Sequence, residues 1–184
     1  MKLQKMKIFI IFIFLLMMSI VIYSQETLDQ KTKIENFLSK TGIITKYEDY
    51  KLPNIKLGIG LGFAQSRIRK ISISNEYHLF LQISVTEKNN IKTASIAFED
   101  LTEIQRALEI LSKQAPNDLD EEIEYIENKF VTEDGFKVGY YVSKNRINWF
   151  LKLEDRGLSI YTRNPEVFIE AFNLAKDKMN LLKK

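Results

Sequence analysis

The sequence predicts an α+β domain made of two repeated antiparallel units, each a small β-sheet plus a helix in a ββββα-like order, behind an N-terminal signal peptide. Three observations carry this. The stretch Thr93–Lys113 alternates at Ile96 and Phe98 as a half-buried strand does, then sets Leu101, Ile104, Leu108 and Leu111 at helical spacing. A weaker copy, Leu158–Asp177, closes the chain: Ser95, Ile96, Asp100, Ile104, Ala107 and Leu108 fall on Ser159, Ile160, Asn164, Phe168, Ala171 and Phe172 without a gap. Ahead of each copy lie runs of period-two alternation, the mark of antiparallel strands with one buried face.

The N-terminus reads as a targeting segment. Lys2, Lys5 and Lys7 form a basic region, Ile8–Tyr23 is apolar apart from Ser19, and Ser24 offers a small residue for cleavage before Gln25. The apolar run falls short of the ~20 residues that a membrane span needs, so residues 1–24 are assigned as a cleaved signal peptide, with an uncleaved anchor as the alternative. Those three lysines account for the excess of 27 basic over 24 acidic residues, so the chain after residue 24 is charge-balanced. A nucleic-acid binder usually carries a net basic footprint, and no nucleic-acid partner is expected on average charge. With no cysteine there is no disulfide, and stability must come from a core. What remains suits one domain: residues 25–50 as a short helix and lead-in, and 51–184 as two units, 51–115 and 120–184.

In the lead-in, Ile34, Phe37 and Leu38 share a helical face and Gly42 stands where a helix would stop. Lys51–Phe63 reads as one strand in which Ile55, Leu57, Ile59, Leu61 and Phe63 alternate with Gly58, Gly60 and Gly62, leaving one face bare for a ligand, a lipid or another backbone. It lacks the spacing of a phosphate-binding glycine loop. Arg67, Arg69 and Lys70 follow, and could meet an anionic ligand or simply form a solvated face. The alternation slips between Arg69 and Ile71, which predicts a bulge. Tyr77–Val85 is a plain strand, and Glu87–Asn90 a turn.

The first long helix is expected to start with a capping box, Asp100 with Glu103, and to end before Pro116. The acid-rich Pro116–Asn128 lacks the calcium-loop order and its glycine, and reads as a solvated connector. Strands follow over Ile123–Thr132, Phe136–Val142, Ile147–Glu154 and Leu158–Thr162. Their turns fall at Asp134-Gly135, Lys144–Arg146 and Arg156-Gly157. Phe80-Leu81-Gln82-Ile83 matches Phe150-Leu151-Lys152-Leu153 across the two units. Asn164 caps the last helix with Pro165 in its first turn, and Phe168, Ala171, Phe172, Ala175, Met179 and Leu182 make its apolar stripe. Because a helix covers one face of its sheet, the two uncovered faces should meet each other or a partner.

The chemistry is sparse. His78 is the one histidine and sits beside Phe80 on a strand, so a His-based nucleophile relay or a zinc site is not expected, and no cofactor is assigned. The group Tyr140, Tyr141, Trp149, Phe150 and Tyr161 could stack sugars or bases, yet its period-two spacing reads as sheet core. The segments SIAFEDLTEIQRALEILSK, NKFVTEDGFKVGYY and LSIYTRNPEVFIEAFNLAKDKM resemble a group of small exported bacterial proteins of uncharacterised function, from about Arg67 to the C-terminus. The doubled four-strand-and-helix order is also similar to the Whirly and PUR-repeat nucleic-acid binders, in topology alone. Together these readings lead to an exported, non-enzymatic interaction or structural module. An envelope or extracellular partner would be held on a sheet face or at Gly58, Gly60, Gly62, Arg67, Arg69 and Lys70. The membrane would enter only through an uncleaved signal. An enzyme using carboxylates, or a single-strand nucleic-acid binder, is the alternative.

Overall fold

The computed structural model describes residues 31–58, 62–87, 90–120, 123–153 and 159–183, with Thr32–Lys184 as one compact unit. The signal segment, Gly60, the Arg156-Gly157 turn and the middle of the Glu87–Asn90 turn lie outside the described residues. Elements run α1 (Lys33–Leu38), β1 (Thr45–Lys51), β2 (Ile55–Lys56), β3 (Phe63–Ile73), β4 (Glu76–Glu87), β5 (Asn90–Ala97), α2 (Phe98–Leu119), β6 (Tyr125–Val131), β7 (Lys137–Ser143), β8 (Arg146–Lys152), β9 (Ser159–Thr162) and α3 (Glu166–Leu182).

Both sheets are antiparallel meanders. The first has five strands, in the order β1-β3-β4-β5 with β2 added to β3; the second is β6-β7-β8-β9. The duplication seen in the sequence holds in the register. Leu81 pairs with Ile96, and their counterparts Leu151 and Ile160 pair likewise. Outward from there, Ile68 and Val138 pair with Leu81 and Leu151, and Tyr50 and Phe130 pair with Ile68 and Val138. Every one of these eight side chains points into a single core. Leu108 and Phe172, at the centre of the repeat, are both buried. Each such side chain is worth about 1.5–3 kcal/mol against solvent.

The helices do more than close their own sheets, which is what the sequence reading supposes: both are shared by the two sheets in one core. α2 packs on β4 and β5 of its own half and on β6, β7 and β8 of the other, while α3 packs on β2 and β3 of the other half and sets Phe172 edge-on to Phe136 of its own. The two helices run antiparallel, with Gln105 Nε2 donating to Asn173 Oδ1 at 2.6 Å, Lys176 Nζ to Thr102 Oγ1 at 2.9 Å, and Lys183 over the ring of Phe98. The two sheet faces left without a long helix therefore point outward and do not meet.

Several local expectations change. Lys51–Phe63 is not one strand: the chain leaves β1, makes the short β2 and reverses, with Leu57 N donating to Gly62 O at 3.1 Å. Gly62 has φ +77°, which explains a glycine there. β3 carries no bulge; its register with β1 and β4 is unbroken. The apparent slip arises because α1 covers the outer side at Ile71 and Ile73, so burial changes face midway along the strand. The first strand of the fold, β1, lies in the polar lead-in, where only Thr45, Glu48 and Tyr50 are partly covered.

The capping box at Asp100 and Glu103 does not form. α2 begins earlier, at Phe98, with Ala97 at the cap position making no side-chain bond. Asp100 is instead buried in the first turn, where a carboxylate suits the helix dipole, and takes an ion pair from Lys33. α2 also runs through Pro116 to Leu119. The proline forfeits one amide in the last turn, and the docking of Asp118 compensates: its Oδ2 accepts from Tyr140 Oη and Asn128 Nδ2, each at 2.5 Å. That part of the acid-rich stretch is thus a fastening to β6 and β7. The cap of α3 forms as expected, Asn164 Oδ1 accepting from Glu166 N at 3.1 Å.

Candidate binding faces

The outer face of the first sheet divides into two. At one end α1 lays Phe37, with Ile34 and Leu38 beside it, over Ile71, Ile73, Phe80 and Ala97. His78 sits there with its ring 4.2 Å from Phe37, as a packing partner. α1 is pinned by a true capping box, Thr32 with Glu35, and by Lys33. The Lys33 amide donates to both oxygens of Asp134 at 3.1 Å, and its ammonium reaches Asp100 and, at 3.5 Å, Glu133. Burial opposes the charge on Lys33, but the hydrogen bond and field of Asp100, with Asp134 and Glu99, raise its pKa overall. Burial pushes the Asp134 carboxyl up.

At the other end the same face is polar, with a cavity of about 430 Å³ lined by Asp49, Lys51, Asn54, Phe63, Gln65, Arg67 and Ser84. Arg69 forks onto Asp49 with two bonds of 2.7 Å, which holds the Asp49 carboxyl below its usual range. Arg67 lies 3.6 Å from Asp49 and donates from Nε to Gln82 Oε1 at 2.9 Å; Gln82 Nε2 in turn donates to Ser95 Oγ at 3.1 Å. Of the three cations singled out in the sequence, Arg67 and Arg69 therefore share this face. Lys70 belongs to the opposite side of β3, its ammonium 4.3 Å from the ring centre of Tyr77.

Gly58 and Gly62 fall outside the lining of the cavity at Asp49. Gly58 N donates to Tyr161 O at 2.9 Å, so the close approach of a second backbone is met within the chain, at the edge of β9. Gly62 sits at the reversal, and Gly60 lies outside the described residues. A cavity of about 430 Å³ beside this junction is lined by Leu57, Gly58, Asn148, Tyr161, Thr162, Arg163 and Asn164.

The outer face of the second sheet carries what the sequence reading missed. Tyr140 and Trp149 are core, as expected, but their neighbours Tyr141, Phe150 and Tyr161 point the other way. With Tyr125 they form a row: Tyr125 and Tyr141 lie 5.9 Å apart and nearly parallel, and Tyr161 meets Tyr141 edge-on at 6.3 Å. Around them stand Lys129, Lys137, Lys152 and Glu127, lining a cavity of about 320 Å³. Glu127 accepts from Tyr125 Oη at 2.6 Å and Lys129 Nζ at 2.5 Å. Lys129 and Tyr125 keep the Glu127 carboxyl below its usual range, and the bond to Glu127 pushes the Tyr125 phenol up to about 12. Gly139 is required here. A Cβ on it would meet Asn128 O at 2.2 Å and the Cα of Lys129 at 2.8 Å, so the β6 backbone is pressed over the outer side of β7 and walls the cavity. The available signal was parity: along β7, β8 and β9 the aromatics occupy both faces, not one.

Among the described residues, no helix is long and apolar enough to cross a membrane. Comparison of the chain with known protein families, with curated proteins and with solved structures finds no match.

Proposed function

We propose that the chain is an exported, non-enzymatic binding module that takes its partner on the outer face of the second sheet. The observation that carries this reading is the row Tyr125, Tyr141 and Tyr161 on a sheet face that no helix covers among the described residues, ringed there by three lysines and one glutamate. Tyr125 and Tyr161 are 52% and 40% exposed, a high cost for rings with no partner to meet. On the first sheet the counterparts of the aromatic positions, Ile71, Phe80 and Ala97, lie under α1, so of the two the row on the second sheet is the uncovered one.

The test is recovery of a ligand from envelope extract on the immobilised protein, set against a Tyr141→Ala/Tyr161→Ala variant. Specific recovery lost in the variant is the expected result. Equal recovery by both proteins, or none by either, would refute the reading. Rings beside lysines also favour a second reading, single-strand nucleic acid on this same face. A single-stranded oligonucleotide competing the recovered ligand away would promote it.

A further inference from the structure

The internal duplication supplies a control for what the open face is made to hold. By register, Ile71, Phe80 and Ala97 in the first sheet correspond to Tyr141, Phe150 and Tyr161 in the second. The first set lies under α1, and two of its three members are aliphatic. Had the second face been shaped for a helix of the same kind, aliphatic side chains would serve it equally. Tyrosine instead keeps a flat apolar ring while leaving a hydroxyl for water, which suits a ligand that is itself hydrated and flat. The charged positions change in parallel. Asp49, Arg67 and Gln82 correspond to Lys129, Lys137 and Lys152, so one acid and one neutral residue have become lysines.

Resting on the reading above, we propose that the ligand is an acidic polysaccharide, a chain of pyranoses carrying carboxylates. The C–H faces of a pyranose are apolar and faintly positive, and would pack on the negative faces of Tyr125 and Tyr161, with its carboxylates toward Lys129 and Lys152. Charge density selects this ligand over single-stranded nucleic acid. Among the described lining residues, Lys129 and Lys152 beside Glu127 leave a thin positive field. A polymer with one charge per sugar, or per two sugars, matches that better than a phosphate at every nucleotide, which calls for a denser basic track. Two faces of this kind would repel one another, which argues against a second copy of the chain as the occupant.

The experiment is titration of the purified protein with short oligomers of galacturonate, mannuronate and hyaluronate. The methyl ester of the galacturonate oligomer and a single-stranded oligonucleotide are the comparisons. Binding of at least one uronate series is expected, weakened roughly tenfold by Tyr161→Ala and similarly by Lys152→Glu. The methyl ester should bind more weakly than its acid. Thermal unfolding of both variants verifies that they remain folded; both positions lie at the surface. Failure of every uronate, equal binding by the variants, or tighter binding of the oligonucleotide would overturn the proposal. Envelope recovery that still depends on Tyr141 and Tyr161 would then leave the binding module standing with a different ligand, and loss of both results would remove the two together.

Discussion

Lys33 ties three elements together through one ammonium, and its partner Asp100 is buried with its second oxygen, Oδ2, unpartnered among the described residues. Removing the acid leaves the lysine without its hydrogen-bonded partner, with only the exposed Glu133, at 3.5 Å, beside its ammonium among the described residues. Asp100→Ala should therefore lower stability by about 2–4 kcal/mol, read by urea unfolding, and Lys33→Met in the same background should return part of it. An equal loss in the single and double variants would show that the pair is not coupled. Tyr140 makes a second residue-scale case. Burial and the bond to Asp118 push its phenol pKa above the ordinary value. A pKa raised on folding stabilises the native state fully below the unfolded value of about 10 and loses that contribution as pH climbs through the folded value. In a native absorbance titration one phenol beyond Tyr125 should ionise late, and Tyr140→Phe should remove that step. Neither partnership was legible in the sequence. Lys33 and Asp100 are 67 positions apart, and Asp118 lies in a run of acids with nothing to mark the one that docks.

At the scale of elements, period and punctuation read well where a strand or helix is amphipathic. The stripes of α2 and α3, the turns at Asp134-Gly135 and Lys144–Arg146, and the cap at Asn164 follow from local chemistry alone. Reading fails where tertiary packing overrides it. β1 is too polar to announce itself, β3 is buried on alternate faces at its two ends, and α2 outruns Pro116 because Asp118 has a partner to reach. α1 is the sharpest example, since six residues are marginal as an isolated helix and persist only by docking. Phe37→Ala should cost about 3–4 kcal/mol and increase binding of an apolar dye, by uncovering Ile71, Ile73 and Phe80. A loss under about 1 kcal/mol would mean that α1 is only loosely held. The candidate site suffered from the same blindness. Tyr141 and Tyr161 were visible as aromatics, but their facing depends on hairpin register, which shifts with one residue in a turn.

For the whole molecule, the duplication was legible and the sharing of each helix by both sheets was not, because spacing fixes what an element buries without saying on whose sheet. The sharing predicts strong dependence between the halves. Produced separately, residues 25–120 and 121–184 should each lack a cooperative thermal transition, and mixing them should restore one together with native circular dichroism. A cooperative transition in either fragment alone would contradict the interlocked arrangement.

That arrangement also constrains descent. A gene specifying one meander and its trailing rod would make a product that covers only part of the rod's apolar stripe. Two such products clasping one another would have solved this, each lending its rod to its twin. Joining them in tandem would fix the partnership and release the twins from identity, leaving one exterior free to hide beneath α1 and the other to gather its tyrosines.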